Sequence, residues 1–262
     1  MSDAGDLVLA ERVGAAVVLT FNRPDKRNAL STAMLQALER RLDDVAEDAG
    51  VRAVILTGAG ERAFVAGADI GEYAEQDEAA FGTYQQFSRS LFSRLDAFPK
   101  PVIGAVNGYA LGGGFEIALC CDVLIASSAA RFGLPEGLLG LSPGGGGTQR
   151  LTRAVGPFVA ADVLLSARRL TADDAHRLGL VSEVVEPDRL RDAALARGEA
   201  MAKVAPLASV EMLALVRSAG DVPLEDGLTL EQDALLRLRL SADAAEGIAA
   251  FVEKREPRFE GR

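Results

Sequence analysis

The sequence has no tryptophan, one histidine, two cysteines and four methionines in 262 residues, and aromatic side chains make up 5% of it. Each shortage excludes some chemistry. One histidine cannot build a histidine-rich metal site, and any Ser-His-Asp arrangement would have to pass through His176. His176 lies in TADDAHRLGL, where Thr171 and Asp174 stand at capping-box spacing, so it reads as a helix surface residue. Cys120 and Cys121 are adjacent, and two thiols make no disulfide framework. They read as buried apolar filler in a reducing cytoplasm.

Long hydrophobic runs are missing too. The longest uncharged stretch, Pro101–Phe115, carries Asn107 and five glycines and ends at Glu116. It is too short and too broken to span a bilayer. No early segment joins a basic start to an apolar core and a small-residue cleavage site, so no secretory signal is expected. Positive charge is in deficit: 28 Lys and Arg against 38 Asp and Glu give a net charge of −10. That balance disfavours a broad nucleic-acid or anionic-membrane surface. It leaves room for a small anionic ligand at a local cation cluster, such as Arg23, Lys26 and Arg27, or Lys254 and Arg255. Composition gives no sign of disorder beyond the first few residues. The expectation is a cytoplasmic protein with no membrane or nucleic-acid partner.

Apolar residues at 49% and charged residues at 25% are ordinary globular usage, in a chain long enough for a large core. Leu7–Ala10 and Ala15–Phe21 read as paired strands turning near Gly14. Ser31 caps a helix with Met34, Leu38, Leu42 and Val45 on one face. Ala53–Thr57, Val102–Val106, Val123–Ala126 and Val181–Val185 read as strands, and Tyr84, Phe87, Leu91, Leu95 and Phe98 form a helical stripe. Helices follow over Asp188–Val204, Leu207–Ser218, Leu224–Leu240 and Ala244–Lys254. The pattern is an α/β core over residues 1–200 with a helical region over 201–262.

Two motifs fail on chemistry. Gly58-Ala-Gly60-Glu-Arg-Ala63 resembles a dinucleotide-binding turn, but no amphipathic helix and second strand follow. Gly140-Leu-Ser142-Pro-Gly144 has nucleophile-elbow spacing, yet the residue after the serine must donate its N–H, and Pro143 has none. The glycines Gly144–Gly147, ahead of the helical TQRLTRAV, suggest a ligand approaching backbone amides.

The chemistry concentrates elsewhere. In KPVIGAVNGYALGGGFEIALCCD a buried strand runs into Gly112–Gly114, where an apolar helix begins. Gly113 falls near that helix's N-terminus, where an amide has no intrahelical partner and the dipole favours negative charge. Glu116 is one turn on, on the same face. Glu136 follows Pro135 in the second glycine-rich stretch, FGLPEGLLGLSPGGGGTQRL, 20 residues after Glu116. A third element, FVAGADI, places Ala66, Gly67 and Ala68 after a strand. On spacing alone each glutamate is either catalytic or structural, and the small residues are a tight turn or a binding edge.

Together these segments resemble the enoyl-CoA hydratase/isomerase, or crotonase, family. The similarity covers nearly the whole chain, from NRPDKRNAL (Asn22–Leu30) through FVAGADI, KPVIGAVNGYALGGGFE and FGLPEGLLGLSPGGGGTQRL to AFVEKREPRF (Ala250–Phe259). The resemblance implies a spiral of ββα turns with a C-terminal helical trimerisation region, and trimers often paired as hexamers. It matches Ala68 and Gly113 to the two oxyanion-hole amides and Glu116 and Glu136 to the catalytic glutamates of the hydratase branch. It implies a 2-trans-enoyl-CoA substrate, hydrated to 3-hydroxyacyl-CoA in fatty-acid β-oxidation or related acyl-CoA catabolism. Coenzyme A is then part of the substrate and no other cofactor is needed. Ala66, Gly67, Asp69, Ile70 and Gly112 are expected to contact substrate. Arg23, Lys26 and Arg27 are expected to contact the CoA moiety, with Lys254 reaching it from a neighbouring subunit. The stretch Glu72–Phe92, with Phe115, Leu138 and Leu139, is expected to line the acyl pocket. A Δ3,Δ2-enoyl-CoA isomerase, another acyl-CoA lyase of the family, and a non-catalytic RNA-binding protein remain open as alternatives.

Overall fold

The structure is a computed structural model describing residues 7–262, so the reading of the first few residues lies outside it. The chain opens with the hairpin β1 (Val8–Val13) and β2 (Ala16–Phe21), then α1 (Thr32–Glu47), β3 (Ala53–Gly58), β4 (Ala63–Val65), α2 (Ile70–Glu75) and α3 (Glu78–Asp96). Next come β5 (Val102–Val106), β6 (Tyr109–Leu111), α4 (Gly113–Ala118), β7 (Val123–Ser127) and β8 (Arg131–Gly133). A 3-10 turn over Pro135–Leu139 leads to α5 (Gly147–Val155) and α6 (Pro157–Ser166), then β9 (Leu170–Thr171), α7 (Ala172–Arg177) and β10 (Glu183–Val185). Four helices end the chain: α8 (Leu190–Ala202), α9 (Pro206–Ser218), α10 (Leu224–Arg239) and α11 (Ala242–Glu253).

Among the described residues the strands form two sheets, ordered β1-β2-β3-β5-β7-β10 and β4-β6-β8-β9. From β3 onward each turn of the chain gives one strand to the large sheet and the next to the small one, then adds helix. Thus β3, β5 and β7 lie parallel side by side, as do β4, β6 and β8. This is a spiral of ββα turns.

The large sheet is covered on both faces, which explains why its inner strands are almost wholly apolar. Val54, Leu56, Val102, Val106 and Leu124 face the main core with α1 and α3. Their alternates Ile55, Ile103, Ala105 and Ile125 face the other way, against Leu190 and Ala194 of α8. Ser31 caps α1 by accepting from the Met34 N–H, and Met34, Leu38, Leu42 and Val45 are buried as the spacing predicts. His176 is exposed on α7, whose start is the Thr171–Asp174 capping box. After Gly58 the chain turns straight into β4 with no helix, which excludes the dinucleotide reading.

The last three helices pack mainly on one another. One arginine ties them back to the core. Arg217 of α9 donates Nη1 to the Phe98 carbonyl at 2.8 Å and forks onto Asp122, Nε and Nη2 meeting Oδ1 at 3.1 and 2.8 Å. Asp122 Oδ2 also accepts the Val102 N–H at 2.8 Å. Burial, with the Asp96 charge, pushes the Asp122 carboxyl up against the Val102 amide and the Arg217 charge, so removing the guanidinium strands a buried acid. Arg217→Met is expected to cost about 3 kcal/mol, read as a lower thermal midpoint. Arg191→Ala, which breaks the exposed pair with Glu11, should stay near wild type.

Candidate active site

The N-terminal motif shapes one wall of the site. Asn28 is fully buried in a left-handed conformation, φ 58°. Its amide nitrogen donates to the carbonyls of Ala59 and Ala63, and its oxygen accepts the Arg23 N–H. That anchor lays Arg27–Leu30 beside the segment after β4. Ala66 donates to the Arg27 carbonyl, Leu30 to Gly67, and Asp69 back to Leu30. Leu30 and Ala68 thus form a parallel bridge through the groups flanking Ala68, and the Ala68 N–H itself points away from Leu30.

The second wall is the start of α4. The Gly112 N–H bonds to the Gly133 carbonyl, while the Phe115 and Glu116 N–H groups return to the Gly112 carbonyl. Gly113, the first helical residue, keeps an N–H without an intrahelical acceptor. Gly114 sets the spacing, since a Cβ there would overlap the Val65 carbonyl oxygen of β4. Only glycine lets α4 start this close to the strand that carries Ala68.

Ala66, Gly67, Ala68, Gly112, Gly113, Glu116 and Glu136 all line one cavity of about 530 Å3. That size lies within the usual range for ligand pockets. Glu116, 4% exposed, directs Oε1 at the N–H groups of Gly145 and Gly147, both at 2.8 Å. Burial raises its carboxyl above the usual range, while those two amides and the Arg150 charge pull the other way. Glu136, on the 3-10 turn, lies near Gly112, where a Cβ would sit 3.1 Å from its Oε1. Its Oε2 is buried without a partner, and burial, opposed by a hydrogen bond to its own backbone and reinforced by the Glu116 charge, pushes the carboxyl up to about 7. Both acids in the cavity are raised by burial, and they differ in that two amides hold Glu116 while Glu136 Oε2 has none.

Aromatic residues close the third side. The Tyr73 hydroxyl accepts from Gln85 Nε2 at 3.0 Å, and its ring meets Phe81 and Tyr84 edge-on. The Tyr84 hydroxyl donates to the Leu30 carbonyl at 3.2 Å, tying α3 to the Ala68 segment.

Several sequence expectations change. The Gly144–Gly147 amides were expected to meet a ligand, but two of them are spent on Glu116, an internal carboxylate that would otherwise be buried unpaired. Phe115 does not narrow the pocket: it is fully buried against Phe132, because it follows Gly114 around the helix into the core. Leu138 is 77% exposed on the 3-10 turn and outside the cavity, whereas Leu139 and Leu141 line it. Arg23 and Asp69 pair with each other at 2.9 Å, Asp69 also caps α2 through the Gly71 N–H, and neither lines the cavity. Ile70 does line it. Lys26 and Arg27 are exposed beside the Ala66 strand, and Lys254 ends α11 outside the cavity. Tyr73, Tyr84 and Phe92 line the site, within the stretch Glu72–Phe92 expected to do so. Arg150 escaped notice because nothing in TQRLTRAV marks the one side chain that turns back to donate to the Gly145 carbonyl at 2.7 Å.

The chain belongs to the enoyl-CoA hydratase/isomerase family, whose sequence model matches residues 11–262. It is 44% identical over 255 residues to the 2,3-dehydroadipyl-CoA hydratase of Escherichia coli, covering 97% of this chain and 99% of that one. It is 41% identical to the short-chain-enoyl-CoA hydratase of Clostridium acetobutylicum, covering 95% of each. The crystal structure of an enoyl-CoA hydratase from Bacillus anthracis superposes with a TM-score of 0.95 at 37% identity, over 98% of this chain and 100% of that one. The fold is therefore the crotonase fold. Among the described residues no helix is long and apolar enough to cross a membrane.

Gly114→Ala should drive α4 from β4 and separate the Ala68 and Gly113 amides. Turnover is expected to fall at least about 100-fold, the scale of losing one oxyanion donor, in protein that still folds by circular dichroism.

Proposed function

We propose that the protein hydrates 2-trans-enoyl-CoA thioesters to 3-hydroxyacyl-CoA, a reaction of acyl-CoA catabolism. The observation that carries this reading is the pair of unlike carboxylates, Glu116 held by two amides and Glu136 unpartnered, beside the open N–H groups of Ala68 and Gly113. The thioester oxygen accepts from Ala68 and Gly113, which stabilise negative charge as it develops there. Glu116, kept ionisable by its amides, takes a proton from water as the oxygen bonds to C3. Glu136, neutral below about 7, delivers its proton to C2 on the same face, so addition is syn. The carbon–carbon π pair becomes the new C2–H bond, and the enzyme resets by exchanging protons with solvent. Coenzyme A enters as part of the substrate and needs no further cofactor. The relatives named as hydratases support this assignment. Lys26 and Arg27, exposed beside the Ala66 strand, supply cations for the CoA phosphates, with Arg23 bracing that edge through Asp69. An isomerase would need one carboxylate to shuttle a proton between C2 and C4, and would leave the second without a role.

Glu116→Gln and Glu136→Gln should each lower hydration of crotonyl-CoA about 100-fold or more, followed as loss of enoyl absorbance. Near-normal turnover in either would remove that residue, and activity on 3-enoyl-CoA alone would favour the isomerase. The pH dependence has a definite sign. Because the Glu136 carboxyl is raised, its acid form prevails below about 7 and is lost above it. The kcat/KM profile should therefore bend downward on the alkaline side near that pH, and Glu136→Gln should abolish the bend.

The C-terminal helices expose Leu224, Leu235, Leu236, Leu240, Phe251 and Val252, far more apolar surface than a monomer usually leaves in water. We propose that these faces pack against copies of the chain in trimers or hexamers. Light scattering should give three or six times the mass of one chain, and Leu236→Glu should lower it.

A further inference from the structure

We infer that the cavity selects acyl chains ending in a carboxylate, and that Arg89 is the residue that reads that charge. The inference rests on the enoyl-CoA reading above and adds a substrate class to it.

Arg89 stands on α3 between Gln85 and Phe92, and all three line the cavity. A Cβ on Gly144 would overlap the Gln85 amide oxygen, and one on Gly145 would overlap the Phe92 ring and lie 2.9 Å from Glu116 Oε2. The α3 face that carries Arg89 is thus packed along the loop whose amides hold Glu116. Residues 85, 89 and 92 fall about one turn apart on one helix face, so Arg89 is carried on the same face as the Phe92 ring that flanks Glu116.

Among the described residues that line the cavity, Arg89 is the only cation. Arg23 pairs with Asp69, Arg94 with Asp43 and Arg150 with Asp96. Arg89 has no hydrogen bond or ion pair among the described residues, and it is exposed. Arg89 therefore brings to the cavity a positive charge that no carboxylate among the described residues neutralises. The carboxylates that line the cavity are Glu116, already held by two amides, and Glu136. Gln86 and Ser142 add hydrogen-bonding groups to the same cavity. An uncharged chain end meeting this guanidinium would dry it without replacing its water, whereas a carboxylate supplies a charge-assisted pair. The cations proposed for the CoA phosphates, Lys26 and Arg27, lie elsewhere, beside Ala66 whose N–H bonds to the Arg27 carbonyl.

The test uses 2-enoyl-CoA thioesters of six and eight carbons, each ending in a methyl group or a carboxylate. The quantity read is kcat/KM for the carboxylate form divided by that for the methyl form. The ratio should exceed one in the wild type, shrink as salt rises, and fall about 10- to 100-fold in Arg89→Met, the range of a hydrogen bond to a charged group. Arg89→Lys should retain part of it. A wild-type ratio at or below one, or an unchanged ratio in Arg89→Met, overturns the inference. So does an equal rise in KM for both esters, which would assign Arg89 to the CoA moiety. The saturated esters separate this failure from failure of the hydratase reading. If no enoyl ester is hydrated, calorimetric binding of the carboxylate- and methyl-ended saturated esters to wild type and Arg89→Met still decides the role of Arg89.

Discussion

The N–H groups of Gly145 and Gly147 converge on one oxygen of Glu116, a carboxylate buried among apolar side chains that would otherwise pay a heavy desolvation cost. Much of the site depends on that contact. The loop can approach only because Gly145 has no side chain to strike Phe92 and the acid. Arg150 steadies it, donating to the Gly145 carbonyl and pairing with Asp96 at the end of α3. Glu136, 20 residues on, receives no such support at Oε2. Burial raises both carboxyls, but only Glu116 has amides that stabilise its charged form.

The spiral supplies the other half of the site. Because successive turns place β4 and β6 side by side in the small sheet, the residues just after them, Ala68 and Gly113, come to one cavity although 45 positions apart. Hydrogen bonds orient them: Leu30 occupies the groups on either side of Ala68, and the start of α4 leaves the Gly113 N–H without a helical partner. Tyr84 connects the same Leu30 carbonyl to α3, so the helix bearing the aromatic wall and Arg89 is coupled to the Ala68 segment.

Much of this was legible in the residues. Strands whose apolar runs are covered on both faces, and helices such as α1 with a capping serine and a regular stripe, announce themselves because local pattern and tertiary burial agree. The small sheet did not. Its strands are two or three residues long, too short for any period, and exist because neighbouring turns pair them. Phe115 failed for a related reason: adjacency to Glu116 in sequence means divergence by about 100° around a helix, which sends the ring into the core.

What the sequence by itself determined is the inventory: two glutamates in apolar glycine-rich settings, small residues where backbone must come close, and the motif order that carries the family resemblance. Only the tertiary structure decided how those parts are used. It spent the glycine-run amides on Glu116, left Glu136 Oε2 without a partner, paired Arg23 with Asp69 and left Arg89 unpaired in the cavity wall. The physical reason is that a residue's type is local, while desolvation, hydrogen-bond satisfaction and charge pairing depend on neighbours brought from distant parts of the chain.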